Sequence, residues 1–73
     1  MIERDFHGYK MHDAIHEVEM IIGDIRKRNV TETVRFITGI GIIQISISEL
    51  LNSYHIGFTY QLGNQGVLIA TIE

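Results

Sequence analysis

The strongest constraint on the fold is a helical apolar stripe in the first half of the chain. Met11, Ile15, Val18, Ile22 and Ile25 recur at spacings of three and four, and Ala14 and Ile21 widen the stripe. That period predicts one long amphipathic helix whose apolar face other elements must cover. Asp13 and Glu17 fall in its early turns and Arg26, Lys27 and Arg28 in its last. Both placements suit the helix dipole. Asn29 follows as a left-handed terminator.

The covering elements read mostly as strands. "ERDFH" (3–7) is a short strand closed by Gly8, and "TVRFIT" (33–38) is β-branched and aromatic. Gly39 and Gly41 interrupt it. "IIQISISELLNSY" supports two patterns. Ile43, Ile45 and Ile47 alternate with polar residues as in a half-exposed strand, whereas Ile43, Ile47, Leu50, Leu51 and Tyr54 keep helical spacing. The helical pattern covers more residues and predicts a second helix, which His55 ends. "GFTYQL" and "VLIATI" then flank "GNQG", a hairpin signal. The expected fold class is α/β: a two-layer sandwich in the order β-α-β-α-β-β, with two helices on a four-stranded mixed sheet whose first two strands are parallel. The 73 residues form a single domain with a thin core, free of internal repeats or linkers.

Composition narrows the function. Without cysteine there are no disulfides and no thiolate metal sites. No apolar run approaches the ~20 residues needed to span a bilayer. No charged-then-apolar leader precedes the first strand, so an intracellular, cytoplasmic protein is expected. The net charge of −3 argues against wholesale phosphate binding, so contact with nucleic acid would be local.

Asp5 and His7 are the first candidates for chemistry. In a strand, residues two apart share a face, roughly 7 Å apart along the chain. A carboxylate beside an imidazole there can orient it for general acid or base work or ligate a metal. The same pair can equally be a salt bridge capping the strand end. "ITGIG" (37–41) runs from a strand through two glycines into a helix, a geometry that can cradle a phosphate but also serves as an ordinary tight turn. If the first two strands are adjacent and parallel, this loop and the Asp5/His7 end share one edge of the sheet. His12 and His16 stand one turn apart in "HDAIH" without an evident third ligand, which favours a solvated helix face over a metal site. Arg26, Lys27 and Arg28 read as dipole compensation before phosphate contact.

"DFHG", "ITGIG" and "GNQGVLIATIE" occur in that order along the whole chain. Together they resemble the small MutS-related (Smr) domain. That family opens with a leucine-aspartate-leucine-histidine-glycine motif and an amphipathic helix. A histidine- or threonine-glycine-x-glycine loop follows its second strand, and a glycine-turn hairpin closes it. The resemblance implies an α/β fold akin to the C-terminal domain of a bacterial translation initiation factor. It also implies nucleic-acid binding, with endonuclease activity on DNA or RNA in several relatives. By position, Asp5 and His7 match the motif implicated in cleavage. Thr38, Gly39 and Gly41 match the loop thought to touch the nucleic acid, and Ile40 between them and Arg35 in the strand before them are further candidate nucleic-acid-binding residues. Ile40 stands where the family often has Lys or Arg, and Arg4 stands in place of the motif's first leucine.

Two functions follow as expectations. One is a nucleic-acid-binding domain with nicking endonuclease activity, in which His7 activates water or stabilises the leaving oxygen, Asp5 orients His7 or holds a divalent ion such as Mg²⁺, and the Thr38–Gly41 backbone positions a phosphate. The other is a non-catalytic module that binds nucleic acid or docks a protein. Mg²⁺ is the one cofactor considered, and the sequence leaves open whether a metal is needed. The opening of the chain almost on its first motif leaves room for further domains of a longer parent chain.

Overall fold

A computed structural model describes all 73 residues. The elements run β1 (Ile2–Asp5), α1 (Met11–Arg28), β2 (Glu32–Ile37), α2 (Ile42–Ser53), β3 (Phe58–Gln61) and β4 (Asn64–Ile72). One four-stranded sheet has the order β1-β2-β4-β3. β1 pairs parallel with β2, and β4 lies antiparallel between β2 and β3. The sheet is therefore mixed, with the topology expected from the sequence. No helix is long and apolar enough to cross a membrane.

The helical stripe performs as read. Ala14, Val18, Ile22 and Ile25 are buried, while Met11 opens the helix exposed and Ala14 takes the first core position. Asn29 ends α1 with φ 61°. In the ambiguous segment the helix wins: Ile47 and Leu51, one turn apart, are buried, and Ile45 is exposed. A strand would have put Ile43, Ile45 and Ile47 on one face. One turn before Ile47 the buried residue is Gln44, whose side-chain amide donates to the Gln65 carbonyl at 2.5 Å. α2 ends at Tyr54, and His55 follows with φ 58°.

The helices cover one face of the sheet. Val34 and Phe36 of β2 and Leu68, Ala70 and Ile72 of β4 pack there against Val18, Ile25, Ile47 and Leu51. Phe6 stacks on Phe36 with ring centroids 6.0 Å apart. Alternation along the strands turns Glu3, Asp5, Arg35, Ile37 and Ile69 to the other, uncovered face.

Two boundaries differ from the sequence reading in ways that shape the site. β1 ends at Asp5 rather than at His7, because the Asp5 carboxylate accepts the His7 backbone N–H at 2.9 Å and turns the chain. Phe6 still donates to the Ile37 carbonyl at 2.9 Å, and Tyr9 closes the turn onto the Phe6 carbonyl at 3.0 Å. In the hairpin, the turn falls at Leu62 and Gly63, where Gly63 takes φ 80°, so most of "GNQG" belongs to β4.

Candidate functional site

β1 and β2 run parallel and side by side, so their C-terminal ends lie together at one end of the sheet. β4 is antiparallel to both β2 and β3, which brings the β3–β4 turn to that same end. In open α/β sheets this end is where ligands sit, because helix N-termini and loops converge there. A depression of about 270 Å³ at this end is lined by Asp5, His7, Ile37, Thr38 and Gly39.

The local sequence explains each placement. Asp5 pairs with Ile37 across the parallel ladder and shares its face. His7 sits beyond the strand on the turn that Asp5 closes. The strand spacing expected for the pair is thus replaced by a turn: Asp5 grips the main chain of His7, not its ring. The Asp5 carboxylate makes its hydrogen bond to the main chain of His7 and none to the imidazole.

The glycine loop is pinned from the hairpin side. The backbone N–H groups of Thr38 and Gly39 both donate to the Gly66 carbonyl at 2.9 Å. The Thr38 hydroxyl lies 2.6 Å from the Gly39 carbonyl and 3.2 Å from that of Gly66. The Asn64 side chain in turn accepts the Gly66 N–H at 3.0 Å. Gly39 adopts φ 68°, and a Cβ on Gly66 would stand 3.1 Å from the Gly39 Cα. Gly39 thus supplies a left-handed turn, and Gly66 allows two backbones to touch. The amides of Thr38 and Gly39 are spent on this clamp. Those of Ile40, Gly41 and the first turn of α2 make no protein hydrogen bond, and no side chain caps the helix. They are the donors the site has to offer an anion.

Asp5, His7, Thr38 and Gly39 come together, then, with Ile40 and Gly41 continuing the rim into α2. Arg35 does not join them. It lies on the uncovered face, where its guanidinium holds Glu3 at 2.5 Å and Gln61 at 2.6 Å. Its charge is already paired across the sheet. No Lys or Arg lines the depression. Ile40, Ile42 and Leu62 stand exposed at the same end, 79%, 66% and 98% respectively, so the rim is aliphatic rather than cationic.

Gly66 and Gln44 were not singled out in the sequence. "GNQG" carried the signal as a hairpin, but the contact that matters crosses from β4 to the loop after β2. His12 pairs with Asp13 at 3.2 Å on exposed helix surface. No three His, Cys, Asp or Glu side chains converge as a metal-holding group.

No family model matches this sequence, and no curated protein does so either. Among solved structures, the Smr domain of Thermus thermophilus MutS2 is similar, with a TM-score of 0.83 and 22% identity over 100% of this chain and 99% of that one. At that identity the likeness establishes a shared fold.

Proposed function

We propose that this chain is an Smr-type domain that binds nucleic acid at the C-terminal ends of β1 and β2. The observation that carries the reading is that one depression gathers Asp5, His7, Thr38 and Gly39, in a fold shared with the Smr domain of a MutS2 protein. A backbone phosphate would be held by the free amides at the start of α2, and the aliphatic rim of Ile40, Ile42 and Leu62 would lie against sugar or base surface. The net charge of −3 and the cation-free depression make this a local, low-charge contact. The three phenylalanines and Tyr60 belong to the side of the sheet facing the helices or its edge, so base stacking across the open face is not part of it.

The second reading adds cleavage, and the position of His7 in the same depression favours it. His7 would take a proton from the attacking water or ribose hydroxyl as that oxygen bonds to phosphorus, the P–O bond to the departing nucleotide breaks and its oxygen takes a proton from solvent, while the α2 amides stabilise charge on the phosphate. Asp5 is the one carboxylate there; a Mg²⁺ ion, if used, would be held by Asp5 together with oxygens of the substrate phosphate and would supply charge neutralisation.

The test is nicking of supercoiled plasmid and cleavage of single-stranded RNA, with and without Mg²⁺, by the wild type and by His7→Ala and Asp5→Ala. Cleavage that persists in both variants removes the catalytic assignment. A salt titration of binding tests the broader reading, because only phosphate contact weakens steeply with salt.

A further inference from the structure

A second surface lies on the helix side of β1. β1 is an edge strand, paired only with β2. The Phe6 N–H donates to Ile37, so by the two-residue repeat of a parallel ladder the even-numbered residues of β1 face β2. The backbone groups of Glu3 and Asp5 turn outward. Beside this edge, Ile2 and Arg4 meet a helical stripe of α1 at Asp13, Glu17, Met20 and Asp24 to enclose a cleft of about 490 Å³. The cleft is walled by α1 and by the helix-side residues Ile2 and Arg4, and the outward backbone groups of Glu3 and Asp5 belong to the free edge of the same strand.

The wall has a definite chemistry. Met20 is 61% exposed, and with Ile2 and Ile21 it gives the groove an apolar stretch. Three carboxylates, Asp13, Glu17 and Asp24, face one guanidinium, that of Arg4. Asp24 is tied to Arg28 at 3.1 Å, whereas Glu17 has only the Tyr9 hydroxyl at 3.1 Å and a long contact of 4.0 Å to Arg4. Asp13 has only the His12 imidazole at 3.2 Å, so the acid without a close Lys or Arg partner centres on Asp13 and Glu17, next to His16.

A second copy of this chain does not suit the groove. Two β1 strands laid edge to edge and antiparallel must oppose residues of the same face. Well-overlapped registers then set Glu3 against Glu3, or Arg4 against Arg4 with Glu3 against Asp5. Like charges directly opposite are destabilising, a familiar protection of edge strands against self-association.

We propose that the β1–α1 groove takes an extended segment of another polypeptide as a fifth strand, with a Lys or Arg of that segment facing Asp13 and Glu17 and an aliphatic residue facing Met20 and Ile21. The main-chain pairing supplies affinity and the alternate side chains supply specificity. The Arg4 guanidinium, which donates to the Glu3 carbonyl at 2.9 Å, swings away to free that acceptor.

The probe is a nine-residue peptide of alternating valine and threonine with a central lysine, titrated into the isotopically labelled chain up to about 1 mM while amide shifts are followed. Shifts confined to residues 2–5 and 13–24 are expected. N-methylation of one alternate set of peptide amides should abolish them and methylation of the other set should not. Replacing the central lysine by glutamate, or Glu17→Lys in the protein, should weaken binding at least about tenfold. The proposal is overturned if the lysine peptide causes no shift at 1 mM, if both methylated peptides bind alike, or if the glutamate peptide binds as well. None of these outcomes depends on nucleic acid.

Discussion

The Asp5 carboxylate accepts the His7 backbone N–H at 2.9 Å, so the acid holds the position of the histidine through the main chain and leaves its imidazole free. An aspartate two residues before a histidine reads as a catalytic dyad in a strand. Here the same spacing makes a turn. The strand stops, His7 is carried past the sheet's end, and it arrives in the depression with Thr38 and Gly39.

That arrangement separates two substitutions. Asp5→Ala should destabilise the chain by about 0.5–1.5 kcal/mol, since one solvent-exposed turn hydrogen bond is lost. Asp5→Asn keeps an acceptor and should cost less than half as much. His7→Ala should leave stability within about 0.5 kcal/mol, the residue being exposed. Urea denaturation measures all three; a His7→Ala loss larger than that of Asp5→Ala would refute the turn's role.

The clamp between Gly39 and Gly66 should be intolerant of added bulk. A methyl at residue 66 meets the Gly39 Cα at 3.1 Å, so Gly66→Ala must push the loop by a few tenths of an ångström. Gly39→Ala places a side chain at φ 68°, costing about 1–2 kcal/mol. Both variants should lose nucleic-acid affinity. Gly57→Ala, where nothing lies within 4 Å and φ is unexceptional, serves as the control.

Ile40→Lys adds a cation to the exposed rim. Affinity for single-stranded nucleic acid should rise, and the slope of log K against log salt should steepen by about 0.7, the value for one added phosphate contact. An unchanged slope would mean that Ile40 does not face the phosphate backbone.

Gln44 is the polar residue buried in α2, and its side-chain amide bonds the Gln65 carbonyl. Gln44→Ala removes that tie between the helix and the hairpin and should cost about 1–3 kcal/mol through the unpaired carbonyl. Faster amide exchange at residues 64–66 would locate the effect.

Tyr9 titrates above its ordinary 10.0, first because its hydroxyl hydrogen-bonds Glu17 and next because of that carboxylate's charge. The neutral phenol is the favoured form, so the stabilisation is complete below the unfolded pKa and is lost as pH rises through the raised one. Following the Tyr9 ring by NMR, Glu17→Gln should bring its midpoint down toward 10.0. No change would mean that the contact does not persist in solution.

What the sequence determined by itself was local. The three-and-four spacing of Val18, Ile22 and Ile25 specified α1, Asn29 its end, and the β-branched runs the strands. These signals lie within a few residues of one another, and each depends on backbone geometry that neighbours share. The order of elements then left few ways to cover one apolar face, which made the two-layer sheet legible. Only the tertiary structure decided that Asp5 serves the backbone of His7, that Arg35 is consumed by Glu3 and Gln61, and that Thr38 and Gly39 give their amides to Gly66. Most of these pairings join residues distant in sequence, and a polar group's partner is set by which strands adjoin. Spacing along the chain carries no record of that adjacency, so the candidate site could be located from the sequence but the bonds within it could not.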